Sequence, residues 1–211
     1  MENNSKSIED IKTIRKMMEE STRFLSLSGL SGIFAGLIAI AGAVIAYLII
    51  LKNGSNHNFD FFMKLPQVEI AAVKWQLLAD AAGVLLLSVL SSVYFSFNRI
   101  KKGNKSFWSP TSKRLLINLL IPLVTGGIFT LVLLIQDQSR LIVPAWLIFY
   151  GLALVNGGKF TYGEVFYLGL LEIFTGLVSS FFPGWDLIFW VIGFGILHIV
   201  YGLTMYRRYE A

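Results

Sequence analysis

The sequence predicts an all-α, polytopic transmembrane bundle of about six spans, both termini cytoplasmic, preceded by an amphipathic amino-terminal helix. Three observations lead there. Of 211 residues, 55% are hydrophobic and only 15% charged, whereas charged residues make up about a quarter of a soluble domain. The apolar residues gather in runs of roughly twenty, the number a helix rising about 1.5 Å per residue needs to cross about 30 Å of hydrocarbon. Lysine and arginine are concentrated in alternate loops, as the positive-inside rule requires of a chain that crosses repeatedly.

The elements follow in order. Residues 1–23 form a polar segment in which Ser7 can cap a helix with Asp10 three residues on. Ile8, Ile11, Ile14 and Met18 recur there at helical spacing opposite Glu9, Lys12, Arg15, Lys16 and Glu19. Such a helix can lie among lipid headgroups, but its narrow apolar face fits a cytoplasmic extension of the first span better. The run that follows is too long for a signal-peptide core, so the first span is expected to be an uncleaved anchor.

Span 1 covers 24–51. Gly29, Gly32, Gly36, Ala39 and Ala43 form a small-residue stripe on it, the device that lets helix backbones approach where lipid removes the hydrophobic drive. Packing within the chain is the expected use. A loop over 52–75 carries Phe59, Phe61, Phe62, Met63 and Leu65-Pro66, residues suited to the outer interface. Span 2 covers 76–97, with Asp80 at a solvated helix start. The basic link after it holds Arg99, Lys101, Lys102, Lys105, Lys113 and Arg114 with Trp108, a face for anionic lipid headgroups or a cytoplasmic protein partner.

Span 3, 115–135, is interrupted by Pro122 and Gly126-Gly127. Its Asn118, Thr125 and Thr130 suit either a polar opening or a plain kink. Span 4, 141–156, fades at Asn156-Gly157-Gly158 and is the shortest. Span 5, 162–182, and span 6, 187–206, are joined by the turn Pro183-Gly184-Trp185-Asp186, and residues 207–211 form a short cytoplasmic tail. With the amino terminus inside, fourteen Lys/Arg fall on the cytoplasmic side and four outside, which places both termini in the cytoplasm.

The stretch Gly29–Leu37 is similar to Gly169–Leu177, but no fixed period supports a repeat, and chance among apolar residues accounts for it.

Chemistry is sparsely encoded. Cysteine is absent and the only histidines are His57 and His198, so no metal centre or haem is expected and no cofactor is called for. The net charge of +5 lies beside the apolar runs, where lipid rather than nucleic acid is the expected partner. Gly157-Gly158-Lys159 departs from a phosphate loop at Ala153 and Phe160.

Glu172 lies ten residues before Phe182 and His198 eleven after Leu187, so each sits roughly 15 Å deep, at the midplane. In an antiparallel hairpin they can meet, which predicts either a protonated Glu172 or a hydrogen-bonded pair. An interhelical polar clamp worth about 1 kcal/mol is the expected role. The alternative is a proton relay or coupling site in a small-solute transporter.

Two resemblances add to this reading. Gly29-Leu30-Ser31-Gly32 resembles the Gly-x-Ser-Gly motif of rhomboid intramembrane proteases, whose six-helix core also carries a histidine on its last helix, where His198 lies. Ser31, however, is on the first span rather than the fourth, and span 2 lacks the family's His-x-x-x-Asn. Proteolysis is therefore the remotest of three readings.

The segment from Ile14 to Gly32, Ile-Arg-Lys-Met-Met-Glu-Glu-Ser-Thr-Arg-Phe-Leu-Ser-Leu-Ser-Gly-Leu-Ser-Gly, resembles a set of uncharacterised bacterial six-helix inner-membrane proteins. Some of these are encoded beside small winged-helix DNA-binding proteins. The likeness implies an inner-membrane location and a regulatory context, without an activity. The expected function is a non-enzymatic structural or regulatory membrane component.

Overall fold

A computed structural model of the chain describes residues 27–52, 67–102 and 109–211. The amphipathic segment 1–23, the aromatic loop around Phe59 to Pro66, Lys105 and Trp108 lie outside the described residues, as does the side chain of Lys102. Every element among the described residues is helical: α1 Gly29–Lys52, α2 Gln67–Lys102, α3 Pro110–Ile135, a 3₁₀ turn Ser139–Leu141, α4 Ile142–Gly158, α5 Gly163–Ser179 and α6 Asp186–Tyr209. All but α5 belong to helical segments long and apolar enough to cross a membrane. With 17 residues, α5 is about 26 Å long, at the short end of what spans.

The surface agrees with a lipid environment. Ile135, Phe181, Trp75, Tyr167 and Phe174 are each at least 66% exposed, and water would penalise such continuous apolar faces. The interior combines large apolar side chains such as Leu147, Leu168 and Met205 with small and polar residues. Gly32, Gly36, Ala39, Ala43 and Ala46 bury one face of α1, as span 1 predicts.

Side by side, the helices run α2, α1, α6, α5, α4, α3, because α1 packs on both α2 and α6 while α4 packs on both α3 and α5. In α4 with its 3₁₀ turn, 44% of the most apolar stretch is buried, against 6% in α2. The span that looks weakest in the sequence is thus the most enclosed. It ends at Gly158, two residues past the expected bound, where Gly157 closes on Leu119 and Gly158 on the backbone of Phe166.

Two further expectations change. The loop expected over 52–75 ends earlier, since α2 starts at Gln67. At 36 residues, or about 54 Å, this helix outreaches the hydrocarbon layer and must project from it or tilt. Asp80 is therefore not at a helix start. It lies half-buried, thirteen residues into α2, with Oδ2 facing Gly42 of α1.

In α3 the proline does not interrupt the helix, and Asn118, Thr125 and Thr130 each turn back to donate to the carbonyl four residues earlier, at 2.8 Å. The helix runs unbroken from Pro110 to Ile135. It begins in a reciprocal cap between Ser109 and Ser112. It closes with Asp137 in the left-handed region, φ 54°, while the amides of Asp137 and Gln138 return to Leu134 and Leu133.

Ionic contacts mark the two ends of the bundle. At one end, the near end, Glu210 at the chain terminus accepts from the first amide of α1, Gly29 N, at 2.5 Å and from Ser28 Oγ at 3.1 Å. Arg99 of α2 pairs with Glu210 at 2.7 Å and donates to the Leu27 carbonyl at 2.6 Å. Glu164 of α5 accepts from Arg208 and from the Tyr209 hydroxyl. At the far end, Lys74 of α2 meets Asp137 after α3, at 2.8 Å. The start of α1 and the end of α6 therefore share one end of the bundle.

Candidate functional site

The sequence-predicted pair does meet. Glu172, tenth of the 17 residues of α5, is fully buried, and His198 of α6 is 6% exposed. His198 Nδ1 lies 3.3 Å from Glu172 Oε1. It is nearer to the Gly193 carbonyl, at 3.1 Å. A carbonyl can only accept, so Nδ1 carries hydrogen, and that hydrogen is directed to Gly193 rather than to the carboxyl group. Neither oxygen of Glu172 makes a hydrogen bond within the described residues.

The other ring nitrogen finds Tyr150 of α4, whose hydroxyl is 2.7 Å from His198 Nε2. In the neutral ring Nε2 is the acceptor, so Tyr150 donates. The two rings also stack, centroids 5.4 Å apart and 28° between planes. Tyr150 is the member that sequence reasoning missed. Its only signal was a phenol in mid-span, which needs a partner when buried.

Local backbone makes the meeting possible. Residues Val191–Leu197 of α6 wind as a π-helix, a form that recurs at functional sites and breaks the regular ladder of carbonyls. His198 takes a carbonyl from that segment, five residues back. Gly193 is needed there because a Cβ would stand 2.7 Å from Glu172 Oε2 and would also collide with Leu147.

The packing stripe is placed on α6. A Cβ on Gly29 would meet Gly202 O at 2.5 Å, and one on Gly36 would meet Gly195 O at 2.6 Å. Gly32 closes on the Gly202 backbone, while Ala39 gives its carbonyl to Trp190 Nε1 at 3.0 Å. The stripe is an intramolecular face. Ser31 donates to the Ser28 carbonyl at 2.6 Å. Although the His198 backbone passes Gly32, its ring turns toward Tyr150. Among the described residues, the rhomboid-like serine therefore has no base hydrogen-bonded to it.

Of the basic link, Lys113 and Arg114 are exposed, and Lys101 sits over the Phe97 ring at 4.7 Å. Arg99 is occupied by Glu210, so it braces three helix ends rather than offering a free charge. No group of three or more His, Cys, Asp or Glu that could hold a metal occurs among the described residues. No family model, curated protein or solved structure matches the chain.

Proposed function

We propose that the chain is a non-enzymatic, multi-pass component of a bacterial inner membrane, structural or regulatory in role, with both termini in the cytoplasm. One observation carries this reading: the histidine and the serine that the sequence singles out are both engaged with neighbours. His198 is held between Tyr150 and Gly193, Ser31 is bonded within its own turn, and helix backbones touch through glycines around them. The near end, with Lys113, Arg114, Lys159, Arg207 and Arg208, is the basic one and fits the cytoplasmic leaflet. The regulatory context comes from the likeness of Ile14–Gly32 to bacterial inner-membrane proteins.

Because the chain has no cysteine, single cysteines report topology cleanly. At Arg208 and Ala211 they are expected to resist a membrane-impermeant maleimide applied to intact cells, and at Asp137 to react. The reverse pattern overturns the orientation.

A second reading, a proton-coupled transporter of small solutes, is favoured by the buried carboxyl of Glu172, which accepts no hydrogen bond among the described residues and lies beside a π segment. In reconstituted vesicles, Glu172→Gln and His198→Ala are then expected to abolish a pH-dependent flux. Flux unaltered by both removes this reading.

A further inference from the structure

All buried side-chain oxygens without a hydrogen-bond partner among the described residues lie in one region: Glu172 Oε1 and Oε2, Ser179 Oγ, Asp186 Oδ1 and Ser139 Oγ. Helix geometry connects them. Glu172 Oε2 faces Gly193. Seven residues on in α5 is Ser179, and seven back in the antiparallel α6 is Asp186, two turns in each case. On the α4 side, Gly169 faces Gly151 and Gly176 faces Pro144, so one further turn sets Ser179 beside the 3₁₀ turn Ser139–Leu141.

Thr175 fills the interval. It is buried on the same face of α5, and its hydroxyl, donated to the Leu171 carbonyl at 2.8 Å, keeps lone pairs to offer. Residues 172, 175 and 179 thus form a polar stripe, stepped about one turn at a time, from the middle of α5 to the far end.

Toward the near end the same helix is apolar. Val165 and Leu168 pack with Leu154, and Leu197, Tyr150 and Tyr201 cover that cluster. Buried polar atoms without protein partners are characteristically satisfied by water. Here such atoms occur on one side of Glu172 only.

We propose that Glu172 is a proton-binding carboxyl loaded from the outer face along Asp186, Ser139, Ser179 and Thr175. Hydrated protons arriving along the stripe transfer to a Glu172 oxygen, forming the neutral acid and releasing water. The titratable groups facing the carboxyl are His198 and, behind it on α4 and α6, Tyr150 and Tyr201. The inference supplies the signal that a regulatory membrane protein would read. It rests on Glu172 handling protons, and the outer side follows from the orientation proposed above.

Infrared spectroscopy of the whole protein in nanodiscs separates the two parts. The wild type is expected to show a carboxylic-acid carbonyl band that Glu172→Gln removes. No band, or one surviving that change, overturns the proton site itself. On transfer to heavy water, Ser179→Val and Asp186→Asn are expected to slow the deuterium shift of the band about tenfold, as for a route missing one hydrogen-bonded step. An unchanged rate in both overturns the outer route while leaving a protonated Glu172. Should Ser179→Val fail to assemble, Ser179→Ala carries the comparison, since that hydroxyl bonds to no described residue.

Discussion

At the scale of single residues, the bundle is specified by a few polar atoms and by the hydrogens of glycine. Tyr150, His198 and Gly193 form one hydrogen-bonded line between two helices, α4 and α6, and Glu172 of α5 lies against it without a hydrogen bond of its own. Tyr150→Phe keeps the ring packing and removes only the proton donated to Nε2. Intramembrane hydrogen bonds average well under 2 kcal/mol, so this change is expected to lower unfolding stability in mixed micelles by about 1 kcal/mol. A loss several times larger shows that the phenol does more than donate one bond. Glu172 and His198 were legible because ionisable side chains are rare at mid-span. Tyr150 was not, because a tyrosine among apolar residues reads as packing until a partner is seen.

At the scale of elements, close approach is concentrated where Cβ atoms are missing. Gly29→Ala puts a methyl group into the Tyr206 and Gly202 backbone, which neither helix can relieve by a rotamer change. A loss of about 1–3 kcal/mol, typical of overpacking, is expected, with α1 splayed from α6. Gly83→Ala and Gly127→Ala meet nothing within 4 Å. There the gain in helix propensity is expected to stabilise by about 0.5–1 kcal/mol. Thermal unfolding in detergent checks all three, and equal effects at Gly29 and Gly83 sink the distinction.

The small-residue stripe of α1 was legible from spacing alone, but its partner was not, because Gly195 and Gly202 read as ordinary span residues. Helix ends were read least well. Gln67 to Lys74 lacks the unbroken apolarity of a span, yet helix continues through it. The glycines of α4 signalled an end that does fall at Gly158, and they serve contact with α3 and α5 as well. The likeness between Gly29–Leu37 and Gly169–Leu177 has a physical basis of its own kind. Both stretches place glycines on a neighbouring helix backbone, one on α6 and the other on α4, so a shared packing device explains the match without a duplication.

At the scale of the whole molecule, the ionic contacts tie ends that the apolar core does not join. Lys74 and Asp137 link the far ends of the two most peripheral helices, α2 and α3. The hydrogen bond from Lys74 Nζ, and then its charge, hold the Asp137 carboxyl below the ordinary aspartate value. A carboxyl lowered in the folded state favours folding fully above its unfolded value, near 3.9. That contribution fades as pH falls through the folded value. Asp137→Asn tolerates the left-handed backbone at this position and removes only the charge. The melting temperature of this variant is therefore expected to fall slightly below wild type at neutral pH and to converge with it in acid, below the usual aspartate range. Because the pair is largely in water, with Asp137 83% exposed, strong salt is expected to produce the same convergence at neutral pH. A difference that persists in both acid and salt assigns the effect of Asp137 to its turn rather than to its charge, and removes the ion pair from the forces that fix α2 against α3.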